Sequence, residues 1–165
     1  MFRGLIFVFC MLYAFAGMAQ DKLLSANLTP QQFIKAYNKD ISTLGKKFRS
    51  ARIINSEGSK DGKMIQFHIS PQIAGLGWVS ESGKLTSVMW LIGGKGLNAA
   101  DALASICSMM DSLDDSLILK DTGPLVTSYI NNELDSTPVE FNTEDNKYQI
   151  SRSDEYGIMI QVSPL

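Results

Sequence analysis

The sequence predicts an α+β domain: an antiparallel sheet of about seven strands in the order α-ββββ-αα-βββ, with the helices packed on one side. Two observations carry this. Hydrophobic periodicity changes in blocks, helical first, then alternating, then helical, then alternating again, and elements segregated in this way build α+β layers rather than βαβ units. The connections between the alternating runs are only a few residues long, whereas a parallel pair would need a crossover of about a dozen residues.

The first helix is expected over 29–44. Thr29 can cap it, Pro30 suits the first helical position, and Gln32 completes a capping box. Leu28 and Phe33 can close a hydrophobic staple, and Phe33, Tyr37, Ile41 and Leu44 fall on one stripe. Gly45 stands where a left-handed residue would end the helix, and Lys46 and Lys47 complement its dipole.

Period two takes over from there. Arg49 to Ile54 reads as a strand, Asn55 to Gly62 as a turn-rich stretch, and Met64 to Ser70 as a half-buried strand with Ile65, Phe67 and Ile69 on one face. Gly75 to Ser80 is followed by the Ser82-Gly83 turn. Leu85 to Ile92 then divides into a Leu85/Ser87/Met89/Leu91 face and a Thr86/Val88/Trp90/Ile92 face, the second expected in the core with Trp90. Asn98 caps a second helix whose apolar side is Leu103, Ile106, Cys107, Met110 and Leu113, and a third helix is expected from near Pro124. Val139 to Asn142, Tyr148 to Ser151 and Tyr156 to Val162 close the chain as strands, the first two joined by a turn at Asp145-Asn146.

Residues 1–19 have the organisation of a secretory signal peptide: Arg3 in a short n-region, an uncharged run from Leu5 to Gly17, and small Gly17 and Ala19 before a cut at Gln20. Polar Gln20-Asp21-Lys22 arrives too early for a membrane helix, which needs about 20 apolar residues. The expectation is a single domain over 20–165, periplasmic or secreted in a bacterium, with no membrane attachment once the signal is removed. Cys10 would leave with the signal, so Cys107 would remain without a disulfide partner, and the core alone would hold the fold.

Charge is unevenly distributed. Residues 20–95 hold eleven Lys or Arg against five Asp or Glu, and residues 96–165 hold three against twelve. Lys46, Lys47, Arg49 and Arg52 are the densest basic group and the candidate partner-binding residues. The competing reading is that the two halves lie against each other and pair at their rims.

Several chemistries lack their usual residues. His68 is the one histidine, on the polar side of its strand, so neither a His-Glu-x-x-His nor a Cys-x-x-Cys metal site can be assembled. No G-x-S-x-G elbow and no S-x-x-K pair occurs. Gly94, Lys95 and Gly96, between a strand and a helix, could meet an anion, but Gly96-Leu97 follow where a phosphate loop needs Gly-Lys-Ser/Thr, and a sharp connection uses glycines anyway. Asp111, Asp114, Asp115 and Asp121 lack calcium-loop spacing and read as a solvated acidic surface. Cys107, on an apolar stripe, reads as a buried, inert thiol.

These features point to an exported, non-enzymatic binding protein with no cofactor, metal or nucleic acid, its partner another protein, as for an envelope accessory, inhibitor or immunity-type factor. Two alternatives stand beside it. A small-molecule carrier would show a pocket of several hundred Å3 between sheet and helices, and a carboxylate-dependent hydrolase would show two buried, convergent carboxylates. An apolar patch on the sheet would favour the protein-binding module. The export reading is tested by sequencing the N-terminus of protein from the envelope fraction. Gln20, or a residue within one or two of it, is expected, and full-length chain in the cytosol would refute the reading.

Overall fold

A computed structural model of the chain describes residues 23–59, 62–93, 96–114, 116–117, 122–124, 126–127, 138–153 and 157–165. The segment read as an export signal lies outside them. Helix α1 (Pro30–Thr43) leads into strands β1 (Arg52–Ser59), β2 (Gly62–Ser70), β3 (Ile73–Val79) and β4 (Leu85–Ile92). Helix α2 (Ala99–Leu113) follows, then helical residues at 122–124 and 126–127, and then β5 (Val139–Asn142), β6 (Asn146–Ser153) and β7 (Gly157–Pro164). The seven strands form one sheet in the order β1-β2-β3-β4-β7-β6-β5, and every neighbouring pair is antiparallel. The two blocks meet where β4 pairs with β7.

Local chemistry accounts for the helix ends. Thr29 and Gln32 exchange the two hydrogen bonds of a capping box, Thr29 N–H to Gln32 Oε1 at 2.9 Å and Gln32 N–H to Thr29 Oγ1 at 3.3 Å. Asn98 Oδ1 accepts from the amides of Ala100 and Asp101 at the start of α2. Helix α1 buries Phe33, Tyr37 and Ile41, the stripe its spacing predicts. Helical residues are described at 122–124, around the Pro124 start expected for the third helix. Val126 is fully buried, while Tyr129, Ile130 and Leu134 lie outside the described residues.

Both long helices pack on the face carrying Ile65, Phe67, Val88, Trp90, Ile160 and Val162. Trp90 sits at its centre, fully buried, with ring centroids 5.8 Å from Phe33, 5.7 Å from Tyr37 and 6.0 Å from Phe67. Its indole N–H donates to Ser105 Oγ at 2.9 Å, and the same hydroxyl shares a 3.0 Å hydrogen bond with Tyr37. Burial pushes the Tyr37 phenol up to about 12, against the opposing Ser105 hydrogen bond. Small residues on α2 let the helices approach: besides Ser105 to Tyr37, Ser112 Oγ reaches Asp40 Oδ2 at 3.2 Å.

Three expectations need correcting. Leu85 is fully buried on the Val88/Trp90/Ile92 side, because Trp78 pairs with Ser87 and Val79 with Leu85, so Thr86 is an extra residue that reverses the alternation. β1 begins at Arg52 rather than Arg49 and runs through Ser59. A second register shift, between Ile53 and Asn55, leaves Ile54 54% exposed. The polar Asn55-to-Ser59 stretch looks like turn sequence but is an edge strand, whose outer side needs no partner and tolerates polar residues. Asn146 is not a turn residue. It is fully buried in β6, and the turn tip is Glu144-Asp145, closed by Thr143 N–H to Asn146 O at 2.9 Å.

Gly75 lies beneath Trp90 on β3, opposite it in the sheet. A Cβ there would collide with the six-membered ring of the indole, which is itself held by Ser105 and three aromatic neighbours. Gly75→Ala is therefore expected to destabilise the fold by about 1–3 kcal/mol through overpacking. Chemical denaturation measures this, and a change within ±0.5 kcal/mol would contradict the placement of Trp90.

Candidate functional site

The predicted basic group spans the connector between α1 and β1 and the first residue of β1, Arg52. Gly45, at φ +126°, turns the chain out of the helix, and Phe48 N–H returns to Gly45 O at 3.2 Å. Phe48 packs against the core edge and Ala51 is buried. Asn38 clamps Ala51 from α1, with Nδ2 donating to Ala51 O at 3.0 Å and Oδ1 accepting from Ala51 N–H at 2.7 Å. The anchors thus alternate with Lys46, Lys47, Arg49 and Arg52, all four of which are exposed.

None of the four is in an ion pair with a described residue. Among the described residues the one salt bridge is Lys147 to Glu140, 2.7 Å, at the far side of the sheet. Lys47 lies 4.9 Å from the Phe48 ring centroid, a contact that leaves its charge at the surface. Arg49 and Asp101 border the same shallow cleft, about 250 Å3 and open to solvent, without bonding each other.

The face of the sheet opposite the helices is the second surface. Met64, Leu76, Trp78, Met89, Leu91 and Met159 project there, each half-buried, and none of them belongs to the helix-covered core. Arg52 pairs with His68 in register, so the last residue of the basic group stands at one corner of this face. Sequence analysis did not single the face out. Its signal was the second phase of each alternation, where Met and Leu occupy positions a solvated sheet would fill with charge.

The acidic residues behave differently from a solvated patch. Asp114 is fully buried. Its Oδ1 accepts from Ser116 N–H at 3.1 Å and Ser116 Oγ at 2.6 Å, and its Oδ2 from Asn146 Nδ2 at 3.1 Å, Tyr148 OH at 3.2 Å and Thr143 Oγ1. Burial opposes ionisation here, but the donors, led by Ser116, Thr143 and Asn146, outweigh it and hold the carboxyl below its ordinary range. Tyr148 is pushed well above the usual phenol range, by burial first and then by the Asp114 charge. Asp111, half-buried, is raised by burial, opposed by the 2.7 Å bond from Thr122, and raised further by the charge of Asp40. Asp115 and Asp121 lie outside the described residues.

Cys107 is buried, and burial followed by the Asp111 charge pushes its thiol up to about 11, which keeps it protonated and unreactive. Gly94 and Lys95 lie outside the described residues. Gly96 takes φ +82°, and the Ala100 and Asp101 amides in the first turn of α2 already donate to Asn98 Oδ1. Among the described residues no group of three or more His, Cys, Asp or Glu could hold a metal ion, and no helix is long and apolar enough to cross a membrane.

No family model, curated protein or solved structure matches the chain.

Because Asp114 is held below its ordinary pKa, it contributes stability that is present above about pH 4 and is lost as pH falls through the lower folded-state value. Asp114→Asn is expected to cost about 1–3 kcal/mol at neutral pH, since it strands donors now aimed at a carboxylate. It should also flatten the fall in stability below pH 4. Urea denaturation between pH 2.5 and 7 tests both, and an unchanged acid limb would refute the assignment.

Proposed function

We propose that this chain is an exported, non-enzymatic module that binds another protein, with Lys46, Lys47, Arg49 and Arg52 contributing to the contact. The observation that carries the reading is the connector itself: four exposed cations with no acidic partner among the described residues, interleaved with anchors that fix the backbone. Cations paired across the halves would have favoured an internal explanation of the charge asymmetry. A pinned connector presents them with little ordering cost on binding, and exposed like charges steer an acidic partner by long-range attraction.

The alternatives draw less support. The cleft between α1, α2 and the sheet is shallow and open to solvent, unlike the enclosing pockets that hold small ligands, which gives the carrier reading no support there. Asp111 and Asp114 do not line that cleft, and Asp114 has its oxygens engaged by five donor groups, which disfavours a carboxylate hydrolase.

The test is double charge reversal, Lys46→Glu with Lys47→Glu, in tagged protein expressed in its native host. Partner recovered on affinity capture should fall, and the remaining binding should depend less on salt, because screening acts on exposed charges beyond about 8 Å. Stability should change by no more than about 1 kcal/mol, since exposed charges contribute little to folding. Undiminished capture with an unchanged salt response would refute the connector as the contact.

A further inference from the structure

We propose that the face of the sheet that no described helix covers is a homodimer interface, covered by the same face of a second copy of this chain. Register places its residues in three rows. Met64, Trp78 and Ser87 lie in one, Gln66, Leu76, Met89 and Gln161 in the next, and His68, Ala74, Leu91 and Met159 in the third. The apolar members step across strands from row to row, so they form a diagonal stripe from Met64 on β2 to Met159 on β7. Polar residues lie on both sides of it: Gln66, His68 and Arg52 towards β1, and Gln161, Gln149 and Glu140 towards β5.

This arrangement is complementary to itself. A two-fold axis along the stripe sets apolar residues on apolar residues and lays the amides of one flank over those of the other. In the three rows from β2 to β7 the face carries Met, Leu, Trp, Ala, Gln, Ser and one His, and its charged side chains, Arg52, Lys147 and Glu140, stand on the outer strands β1, β6 and β5. Three of the six large apolar residues are Met, whose unbranched chains adapt to a facing copy. The area suffices. Seven strands at ~4.8 Å spacing and ~24 Å length span on the order of 800 Å2, and a standard stable interface needs about 800 Å2 per partner. Two such sheets would pack about 10 Å apart as a sandwich.

Sedimentation velocity of the purified chain over a broad dilution series tests the proposal, with Met89→Lys and the milder Met89→Gln as variants. A reversible dimer is expected, with its dissociation constant raised ~100-fold or more by the buried lysine and measurably by the glutamine, while circular dichroism and the melting temperature hold. Dilution should red-shift tryptophan emission, and Trp78→Phe should abolish that change, because Trp90 stays enclosed in the monomer. Added salt should leave the dimer intact or tighten it, and the Lys46→Glu, Lys47→Glu protein should dimerise normally. Loss of partner capture in that protein with the dimer intact therefore bears on the connector alone. A monomer at every concentration overturns the proposal. So does a dimer indifferent to both Met89 variants, or a monomer whose face is occupied only by added phospholipid vesicles or by a different protein.

Discussion

Trp90 is the constraint around which the fold is arranged. Its ring can be enclosed only if its N–H finds an acceptor, if the neighbouring strand offers no side chain beneath it, and if aromatic rings cover what remains. Ser105 meets the first requirement, Gly75 the second, and Phe33, Tyr37 and Phe67 the third. These residues come from α2, β3, α1 and β2. One side chain therefore fixes both long helices over the centre of the sheet, and Tyr37 sharing the Ser105 hydroxyl couples the helices to each other. With both helices committed to that face, none of the described helices is available to cover the other.

Most of the architecture was legible in the sequence because it rests on local rules. The capping box at Thr29, the Phe33/Tyr37/Ile41 stripe and the alternation around Phe67 and Trp90 each act over a few residues, and each is present in the fold. What escaped depended on pairing. Strict alternation assigns Leu85 to the wrong face unless the extra residue at Thr86 is known, and that bulge is defined only by the partner strand. The Asn55-to-Ser59 stretch is strand for the same reason: its conformation comes from β2, against weak intrinsic propensity.

The candidate site was legible in part. Four basic residues close together in sequence identify themselves, but their exposure follows from the anchoring of Phe48, Ala51 and Asn38, which a charge count ignores. The diagonal of Met, Leu and Trp on the open face could not be read from any one strand. Each strand supplies one or two apolar residues in the polar phase, which is unremarkable alone, and only the register of four strands joins them into a stripe. Cys107 was correctly placed in the interior, since its helix periodicity settles the matter.

The buried Asp114 explains how the charge asymmetry survives folding. A carboxylate taken out of water needs compensation, and cations commonly supply it. Here Ser116, Thr143, Asn146 and Tyr148 supply it with neutral donors, tying the end of α2 to β6 and the turn before it. Neutral donors balance the carboxylate without consuming a positive charge, so this acidic residue of the C-terminal half draws no Lys or Arg from the N-terminal half. Because its hydrogen bonds require fixed distances and its neighbours are enclosed, the network specifies one arrangement of helix and hairpin. The cations of the α1–β1 connector are left at the surface, where their charge acts on whatever approaches.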